Sequence, residues 1–390
     1  MKRRRIYGRH RLSRDAERLA WLSQGLADSG SRLEDAWLES EIAGLIDRLL
    51  KAGDEDALNQ ALDRLHETNS RAYDELADLI EAGCEVSQVG EEGNRTARLL
   101  IALPVLAWSR YAIPTRSVPK PVLDALRAQL SAHVLGAEAR VHFADYLYSP
   151  DQLPQGYAET RVFADTLWSA VAAGKDLKVD TRRLPESQVF VSDVRYLMAA
   201  VQVPVGRPVF RWNETDGGRP ASLAAWREQG SPNFQNLLTG CAYEVLLPDA
   251  YFAAWRQADR DTRPFALKAA VEYLKSLFNE PANRIRAVAA PYYEHWLEEW
   301  RIGFTLAHSD EVVHGVTWPL LGQEDENTDL GPEIEALLKG TGIGEVRMLD
   351  TRMPLEFCED CGAPLFPNPD GENVHAELPE DMQGTPAQLH

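Results

Sequence analysis

The stretch Arg98-Leu-Leu-Ile-Ala-Leu-Pro-Val-Leu-Ala-Trp108 marks the point where the pattern of the chain changes. Its nearly continuous Leu, Ile and Val predict a buried strand. Pro104 interrupts this stretch, and no apolar run reaches the roughly 18 residues of a membrane helix. The segments before it have helical spacing, whereas those after it alternate between strand and helix patterns. The chain is therefore predicted to be an α+β protein.

The residues before this stretch predict a helical module over 13–92. Ser13 is a candidate N-cap, and Ser31-Arg-Leu-Glu34 has the spacing of a capping box, in which serine and glutamate satisfy the free N–H groups of a helix start. Gly53 is placed to end the second helix in a left-handed conformation, and Asp54 to begin the third. Short links between amphipathic helices favour a small bundle of antiparallel neighbours.

Beyond Trp108 the patterns predict two α/β lobes. The segment 194–203 is apolar enough to suit either a helix or a strand. From Cys241 onward the predicted order is β-α-β-β-α-β, with one possible extra strand, and this order is typical of a ferredoxin-like domain. Its helix is predicted over 263–278 and its hairpin turns at Ser309-Asp310. The first lobe echoes this order, which suggests a pseudo-duplication.

These patterns divide the chain into five parts. A basic tail (1–12) precedes the helical module (13–92). The first lobe spans 95–230 and the second, ferredoxin-like lobe 238–350. A cysteine knuckle and a tail rich in Pro, Glu and Gln occupy 351–390.

The charge of the chain is strongly acidic but uneven. The formal net charge is −19, which argues against general affinity for nucleic acid. Residues 1–18 carry a balance of +6, whereas residues 31–92 carry −12. The tail therefore either lies on acidic helices of this chain or of a partner subunit, or forms a phosphate-binding arm. The candidate phosphate-binding residues are Lys2, Arg3, Arg4, Arg5, Arg9 and Arg11.

The segment Cys358-Glu-Asp-Cys361-Gly362 is the most specific signal in the sequence. Two thiolates at this spacing can face one metal ion, and glycine supplies the left-handed turn position. This is half of a zinc knuckle, because no second Cys-x-x-Cys exists. His375, beyond a Pro-Asn-Pro-Asp-Gly turn, is the nearest candidate third ligand. The alternatives are a redox dithiol, or a knuckle held by packing alone.

Two further groups are candidates for acid–base chemistry or ligand binding. His308 and His314 flank the predicted hairpin turn, with Asp310 between them, which would suit a metal ion or proton transfer. The alternative is a pair of exposed hairpin histidines. Asp193 and Arg195 follow a predicted short strand, where α/β proteins often place functional groups.

Several segments together resemble an uncharacterised family of beta-proteobacterial proteins of about this length, a family of unknown function. The segments are Arg11-Leu-Ser13, Ser29-Gly-Ser-Arg-Leu-Glu-Asp35, Leu103-Pro-Val-Leu-Ala-Trp-Ser-Arg-Tyr111, Phe190-Val-Ser-Asp-Val-Arg-Tyr196 and Cys358-Glu-Asp-Cys-Gly-Ala-Pro-Leu365. The resemblance covers nearly the whole chain. It implies a bacterial cytoplasmic protein and transfers no activity.

The sequence therefore favours a non-catalytic binding or regulatory protein with a structural zinc knuckle at Cys358, Cys361 and His375. One alternative is a metal-dependent enzyme that uses His308, His314 and Asp310. Another is a factor that binds nucleic acid or ribosomes through the basic tail. Four cysteines and the lack of an apolar segment after the basic N-terminus favour a cytoplasmic protein without membrane insertion. A protein partner, or self-association, would use the helical module.

Overall fold

The computed structural model describes residues 12–91, 94–109, 112–187, 191–214, 218–322 and 324–378. Four helices form the N-terminal module: α1 (Arg14–Asp28), α2 (Arg32–Ala52), α3 (Glu55–Thr68) and α4 (Ser70–Glu85). The Ser13 hydroxyl accepts the N–H of Ala16 at 3.1 Å, and Gly53 ends α2 with a φ of 69°. Ser31 makes no side-chain capping bond, so the predicted capping box is wrong.

A seven-stranded sheet forms the next layer. Its strands are β1 (Val86–Val89), β2 (Thr96–Trp108), β3 (Arg116–Ser117), β4 (Arg140–Tyr148), β5 (Ser192–Pro204), β6 (Ala242–Val245) and β7 (Asp249–Ala250). The order is β1-β2-β5-β4-β3, with β6 and β7 also on β2, and the pairs are antiparallel. The ambiguous segment 194–203 is thus a strand, paired along its length with β2.

Both faces of this sheet are covered, which explains the continuous apolar run of β2. Leu100, Ala102 and Leu106 pack towards the helical module, whereas alternate residues between them pack on the other side. Three helices flank the sheet: α5 (Lys120–His133), α6 (Tyr157–Ala172) and α7 (Gly218–Ala225). Pro104 lies between the pairings of β2 with β7 and β6, where no ladder bond needs its missing N–H.

Two glutamates of the module cap helices of the α/β body. Glu55 accepts the N–H of Ala158 in the first turn of α6 at 2.8 Å. Glu85 accepts the N–H of Phe252 at 3.1 Å, in the first turn of the next long helix. The free N–H groups and the dipole of a helix start both favour a carboxyl there. Side-chain chemistry, as well as apolar packing, therefore fixes the module on the body.

The second sheet has five strands, and two helices pack against it. They are α8 (Tyr251–Phe278), β8 (Ile285–Tyr293), β9 (Leu297–Leu306), β10 (His314–Pro319), α9 (Leu330–Gly340), β11 (Glu345–Met348) and β12 (Met353–Pro354). The order is β10-β9-β8-β11, and β12 also pairs with β8. The predicted hairpin is present as β9 and β10, while α8 begins twelve residues before the predicted start at Arg263 and contains Pro264.

The ferredoxin-like detail is not confirmed. Its first predicted strand, β6, pairs with β2 of the large sheet, so it does not belong to the small one. The predicted order therefore has its strands in two different sheets. Local patterns predicted each strand, but the choice of partner depends on tertiary packing that periodicity does not encode.

The two faces of the small sheet have different coverings. Helices α8 and α9 pack on one face. Residues 353–378, here called the C-terminal strap, reach the other face and contain the hairpin of β13 (Phe366–Pro367) and β14 (Asn373–Val374). Gly303 and Gly315, opposite each other on β9 and β10, make room for it. A Cβ on Gly303 would lie 2.3 Å from the Pro367 carbonyl, and one on Gly315 2.3 Å from the Phe366 ring.

Candidate metal centre

The cysteine knuckle is a tight turn at the tip of a short two-stranded arm of the C-terminal strap. The Cys358 N–H donates to the Ala363 carbonyl at 2.7 Å, and the Gly362 N–H donates to the Cys358 carbonyl at 2.8 Å. Gly362 has a φ of 73°, a left-handed conformation that glycine adopts without steric cost. The glycine therefore supplies the turn that the sequence predicted.

The backbone of this turn stabilises one thiolate. The backbone N–H groups of Cys361 and Asp360, together with the Cys361 side chain, stabilise the charged sulfur of Cys358 and lower the pKa of its thiol from the usual value. The thiolate is the form of cysteine that binds a metal ion, so the turn favours the state that coordination needs.

His375 reaches the knuckle from the second arm of the strap. The pairing of β13 with β14 places it directly after Val374, and its Nε2 lies 3.2 Å from the Cys361 Sγ. Its other ring nitrogen, Nδ1, lies 3.2 Å from Oε1 of Glu377. A carboxylate beside Nδ1 favours a proton on that nitrogen, which leaves Nε2 as the nitrogen that can coordinate, as in many zinc sites.

Cys358, Cys361 and His375 form one group of donors. One ligand atom from each lies within 4.8 Å of the others, close enough to bind a metal ion. Ligand atoms around a tetrahedral zinc ion are roughly 3.5 Å apart, so a shift of about an ångström closes the site. Within the described ranges, this is the one group of three or more His, Cys, Asp or Glu donors at such spacing.

Arg301 on β9 supports the knuckle from beneath. Its side chain is fully buried, and its Nη1 donates to the carbonyls of Glu356 at 2.6 Å and Leu365 at 2.7 Å. Those two residues flank the arm that carries both cysteines. Glu299 accepts from Nε at 2.7 Å and supplies the countercharge. A buried guanidinium needs such partners, so its position fixes the base of the knuckle.

Tyr292 on β8 ties the other arm of the strap to the sheet. Its hydroxyl donates to Oδ1 of Asn373, and the Asn373 amide donates to the Pro354 carbonyl at 3.3 Å and the Glu356 carboxylate at 3.0 Å. Burial raises the pKa of the tyrosine, so it stays a neutral donor. Asn373 is two residues before His375, and the bond therefore helps to set where the imidazole lies.

The other histidine candidates are not gathered into one site. His314 is buried against the rings of Tyr273 and Phe304, and burial alone lowers its pKa to about 4. His308 is exposed, and Asp310 pairs with Arg286 at 2.7 Å. This separation of a core imidazole from surface groups gives no support to the acid–base prediction for His308, His314 and Asp310.

Asp193 and Arg195 both lie on β5 and form an ion pair. The Arg195 side chain is buried and pairs with Asp193, and it donates to the carbonyls of Ile113 at 2.7 Å and Pro114 at 3.2 Å. Burial raises the pKa of Asp193, although the arginine opposes this shift. These bonds hold the segment after β2 against β5.

The basic arm lies outside the described residues. Lys2, Arg3, Arg4, Arg5, Arg9 and Arg11 all belong to that part of the chain. The phosphate-binding role stays a prediction.

Sequence reasoning missed the residues that support the metal centre. Arg301 and Tyr292 lie on strands far from the knuckle in sequence, and their partners are mostly backbone carbonyls. Side chains alternate between the two faces of a strand, so Arg301 lies on the same face of β9 as Gly303. The sequence did contain a signal for this face, because a charged residue stands two positions before a glycine within an apolar strand. Such a residue implies a buried partner, but periodicity does not name it.

Fold and site together define an α+β protein with a Cys-Cys-His donor group on a C-terminal strap. The model of a family described as "Protein of unknown function (DUF2863)" matches residues 4–389, and the chain belongs to this family. No curated protein and no solved structure matches the chain. No helix in the described part of the chain has the length and apolar character needed to cross a membrane.

Proposed function

We propose that this chain is a non-catalytic binding or regulatory protein whose C-terminal strap is fastened by a structural zinc ion at Cys358, Cys361 and His375. The observation that carries the proposal is the convergence of two thiols and one imidazole within 4.8 Å. Sulfur and imidazole donors in this combination favour zinc over magnesium or calcium, which prefer oxygen.

A structural role is favoured over a catalytic one by what surrounds the donors. Two of the donors have supports close by: the backbone turn around Cys358, and Glu377 at 3.2 Å from His375. Arg301 donates to both ends of the arm that carries the cysteines and so joins the strap to the small sheet. His314 is buried against aromatic rings, whereas His308 is exposed and Asp310 pairs with Arg286.

The binding role is supported by an exposed aromatic surface on the helical module. Trp21 on α1 and Trp37 on α2 are each more than half exposed, and Leu33 is 83% exposed. Arg18 stacks on Trp21 at 4.6 Å. Trp and Arg are the residues that dominate protein interfaces, so this surface suits self-association or a protein partner.

A bacterial cytoplasmic location belongs to the same proposal. Cys84, Cys241, Cys358 and Cys361 are all free thiols. Cys358 and Cys361 have only two residues between them, and such neighbouring thiols persist in a reducing compartment, whereas an oxidising one favours disulfides.

Metal analysis of the purified full chain tests the zinc proposal. We expect about one zinc ion per chain. Cys358→Ser and His375→Ala should each lose most of the metal, whereas Cys241→Ser should retain it, since Cys241 lies outside the donor group. Absence of zinc from the unmodified protein, after purification without chelators and with zinc supplied during growth, would contradict the proposal. Equal metal loss in Cys241→Ser would also contradict the assignment of ligands.

A further inference from the structure

Cys358 and Cys361 lie side by side at the tip of the knuckle. Their sulfur atoms lie within 4.8 Å of each other. The turn between them is closed by the bond from the Gly362 N–H to the Cys358 carbonyl at 2.8 Å. A single turn of this kind brings its first and fourth Cα atoms within roughly 7 Å, which is the range that a disulfide can bridge. Rotation of the two side chains can therefore join the sulfurs without a large movement of the backbone.

Solvent reaches this pair, whereas the other two cysteines are less suited to oxidation. Cys361 is exposed and Cys358 is partly exposed. Cys84 is fully buried and Cys241 is partly buried, and burial raises the pKa of both of these thiols. An oxidant reacts with the thiolate form of cysteine. The knuckle therefore combines access for an oxidant with a second sulfur that can complete a disulfide.

The same two sulfurs connect the two arms of the strap in the proposed zinc site. One arm carries both cysteines, and the other carries His375, whose Nε2 lies 3.2 Å from the Cys361 Sγ. Two residues after this histidine, the Glu377 N–H donates to the Val312 carbonyl at 2.9 Å, which holds the end of the arm against the segment before β10. A metal ion joins the two arms, whereas a disulfide would use both sulfurs within one arm and end the connection to His375.

We propose that Cys358 and Cys361 are a redox switch, in which a peroxide oxidises them to a disulfide, the metal ion leaves, and the arm that carries His375 is released from the knuckle. This inference rests on the proposed zinc site and adds its regulation. The arm of the cysteines stays in place, because Arg301 holds it through two backbone carbonyls and no sulfur takes part in those bonds. Oxidation therefore loosens one arm of the strap and leaves the other held.

The reaction balances with the peroxide as the oxidant. The more exposed thiolate, Cys361, attacks one peroxide oxygen, which breaks the O–O bond, forms a sulfenic acid and releases hydroxide. The Cys358 thiolate then attacks that sulfur, forms the S–S bond and displaces a second hydroxide. The two sulfurs lose two electrons, the peroxide gains them, and two protons from solvent convert the hydroxides to water. A dithiol reductant reverses the oxidation and restores both ligands.

Hydrogen peroxide added to the zinc-loaded full chain provides the test. The peptide that contains Cys358 and Cys361 should lose two hydrogen atoms in mass spectrometry, and a chromophoric chelator should detect about one zinc ion released per chain. Dithiothreitol and zinc should restore the starting state. Cys241 is the control thiol, and its oxidation should be at least about tenfold slower, because burial disfavours its thiolate.

Amide hydrogen exchange distinguishes the switch from simple loss of the metal. Oxidation should raise exchange severalfold over 373–377, whereas the turn at 358–362, closed by the disulfide, should keep its exchange rate. Removal of the metal by a chelator should instead raise exchange in both segments. The variant His375→Ala keeps both thiols but lacks the ligand of the second arm. It should still form the disulfide, and oxidation should no longer change its exchange over 373–377.

The outcomes separate this inference from the zinc proposal. A full chain that contains no zinc, yet forms the disulfide, refutes the zinc site and with it the release of a metal. A chain that binds zinc but forms no disulfide between Cys358 and Cys361, or that keeps its zinc during oxidation, overturns the switch and leaves the zinc site in place. Oxidation to sulfinic acids that dithiothreitol does not reverse overturns the switch as well. Equal exchange over 373–377 in the oxidised and reduced chains overturns the release of the arm.

Discussion

The guanidinium of Arg301 lies 4.8 Å from the centre of the Phe357 ring, directly before the first cysteine of the knuckle. The centre of the Tyr292 ring lies 4.4 Å from the same guanidinium. Arg301 therefore contacts two aromatic rings while donating to two backbone carbonyls of the strap. We therefore expect the candidate metal centre to depend on Arg301, because no other side chain supplies both a planar stacking surface and several divergent donors.

Arg301→Lys should destabilise the protein and weaken its metal affinity. Lysine keeps the charge but cannot both stack on the two aromatic rings and reach the carbonyls of Glu356 and Leu365. We expect a loss of roughly 2 kcal/mol in the free energy of unfolding, measured by urea denaturation. Zinc affinity, measured by competition with a chromophoric chelator, should fall at least about tenfold.

Arg352→Lys is the matched control for this prediction. Arg352 also stacks on a tyrosine of β8, Tyr293, at 4.5 Å, but its side chain is 66% exposed and pairs with Glu326 at the surface. Its replacement should cost under about 0.5 kcal/mol and leave zinc affinity unchanged. Equal losses of stability and zinc affinity in Arg301→Lys and Arg352→Lys would show that the buried position of Arg301 has no special role at the knuckle.

Removal of the metal should loosen the strap while leaving the large sheet intact. The strap is held by the knuckle, by Arg301 and by the Tyr292–Asn373 bond, and the first of these needs the ion. Addition of a chelator should therefore raise the rate of amide hydrogen exchange over 356–377 and leave the rate in β2 and β5 unchanged. Uniform exchange changes across the chain would instead indicate global unfolding.

Gly303→Ala should displace the strap from the small sheet. The added methyl group would lie 2.3 Å from the Pro367 carbonyl, which is backbone and cannot rotate away. We expect destabilisation of about 1–3 kcal/mol, together with weaker zinc binding. Gly44→Ala is the control, because a Cβ at this helical position meets nothing within 4 Å and should stabilise slightly. Unchanged zinc affinity in Gly303→Ala would show that the position of the strap does not depend on the space that Gly303 leaves for it.

The sequence predicted local structure and the donors of the metal centre better than it predicted partners. The caps at Ser13 and Asp54, the end of α2 at Gly53, the apolar run of β2 and the Cys358–Gly362 turn are set by neighbouring residues, so they could be recognised from spacing. The pairing of β6 with β2 and the position of Arg301 beneath the knuckle depend on contacts between distant segments. His314 illustrates the difference: its position on the hairpin was predicted, but its burial against Tyr273 depends on how α8 packs on that hairpin.

Glu85→Gln should make the protein more stable at alkaline pH. Burial raises the pKa of Glu85 to about 8, from an ordinary value of 4.5, although the Phe252 N–H opposes this shift. The folded state therefore holds a proton that the unfolded state loses, so stability falls as pH rises from about 4.5 to 8. Glutamine keeps an oxygen for the Phe252 N–H and carries no charge. The free energy of unfolding of Glu85→Gln, compared with that of the unmodified protein, should therefore be roughly 3 kcal/mol more favourable at pH 9 than at pH 5.

Urea denaturation of both proteins at both pH values measures this difference, with the exposed Asp74→Asn on the same helix as the control. A constant difference between Glu85→Gln and the unmodified protein across this pH range would rule out ionisation of Glu85 as the cause.

The helical module should mediate self-association through Trp21 and Trp37. A shallow groove between α1 and α2 is lined by Arg18, Glu41 and Arg48 among others, and the pairs Arg18–Glu41 and Arg48–Asp15 place both signs of charge beside it. A surface with both signs can pair with a second copy of itself across a twofold axis.

Trp21→Ser combined with Trp37→Ser should therefore shift a dimer to a monomer in sedimentation equilibrium, with an affinity loss of at least about tenfold. Trp296→Ser is the control, because Trp296 is similarly exposed at 58% but lies before β9, away from the module. A chain that is monomeric at all concentrations, or a dimer that the double variant leaves intact, would exclude this surface from self-association.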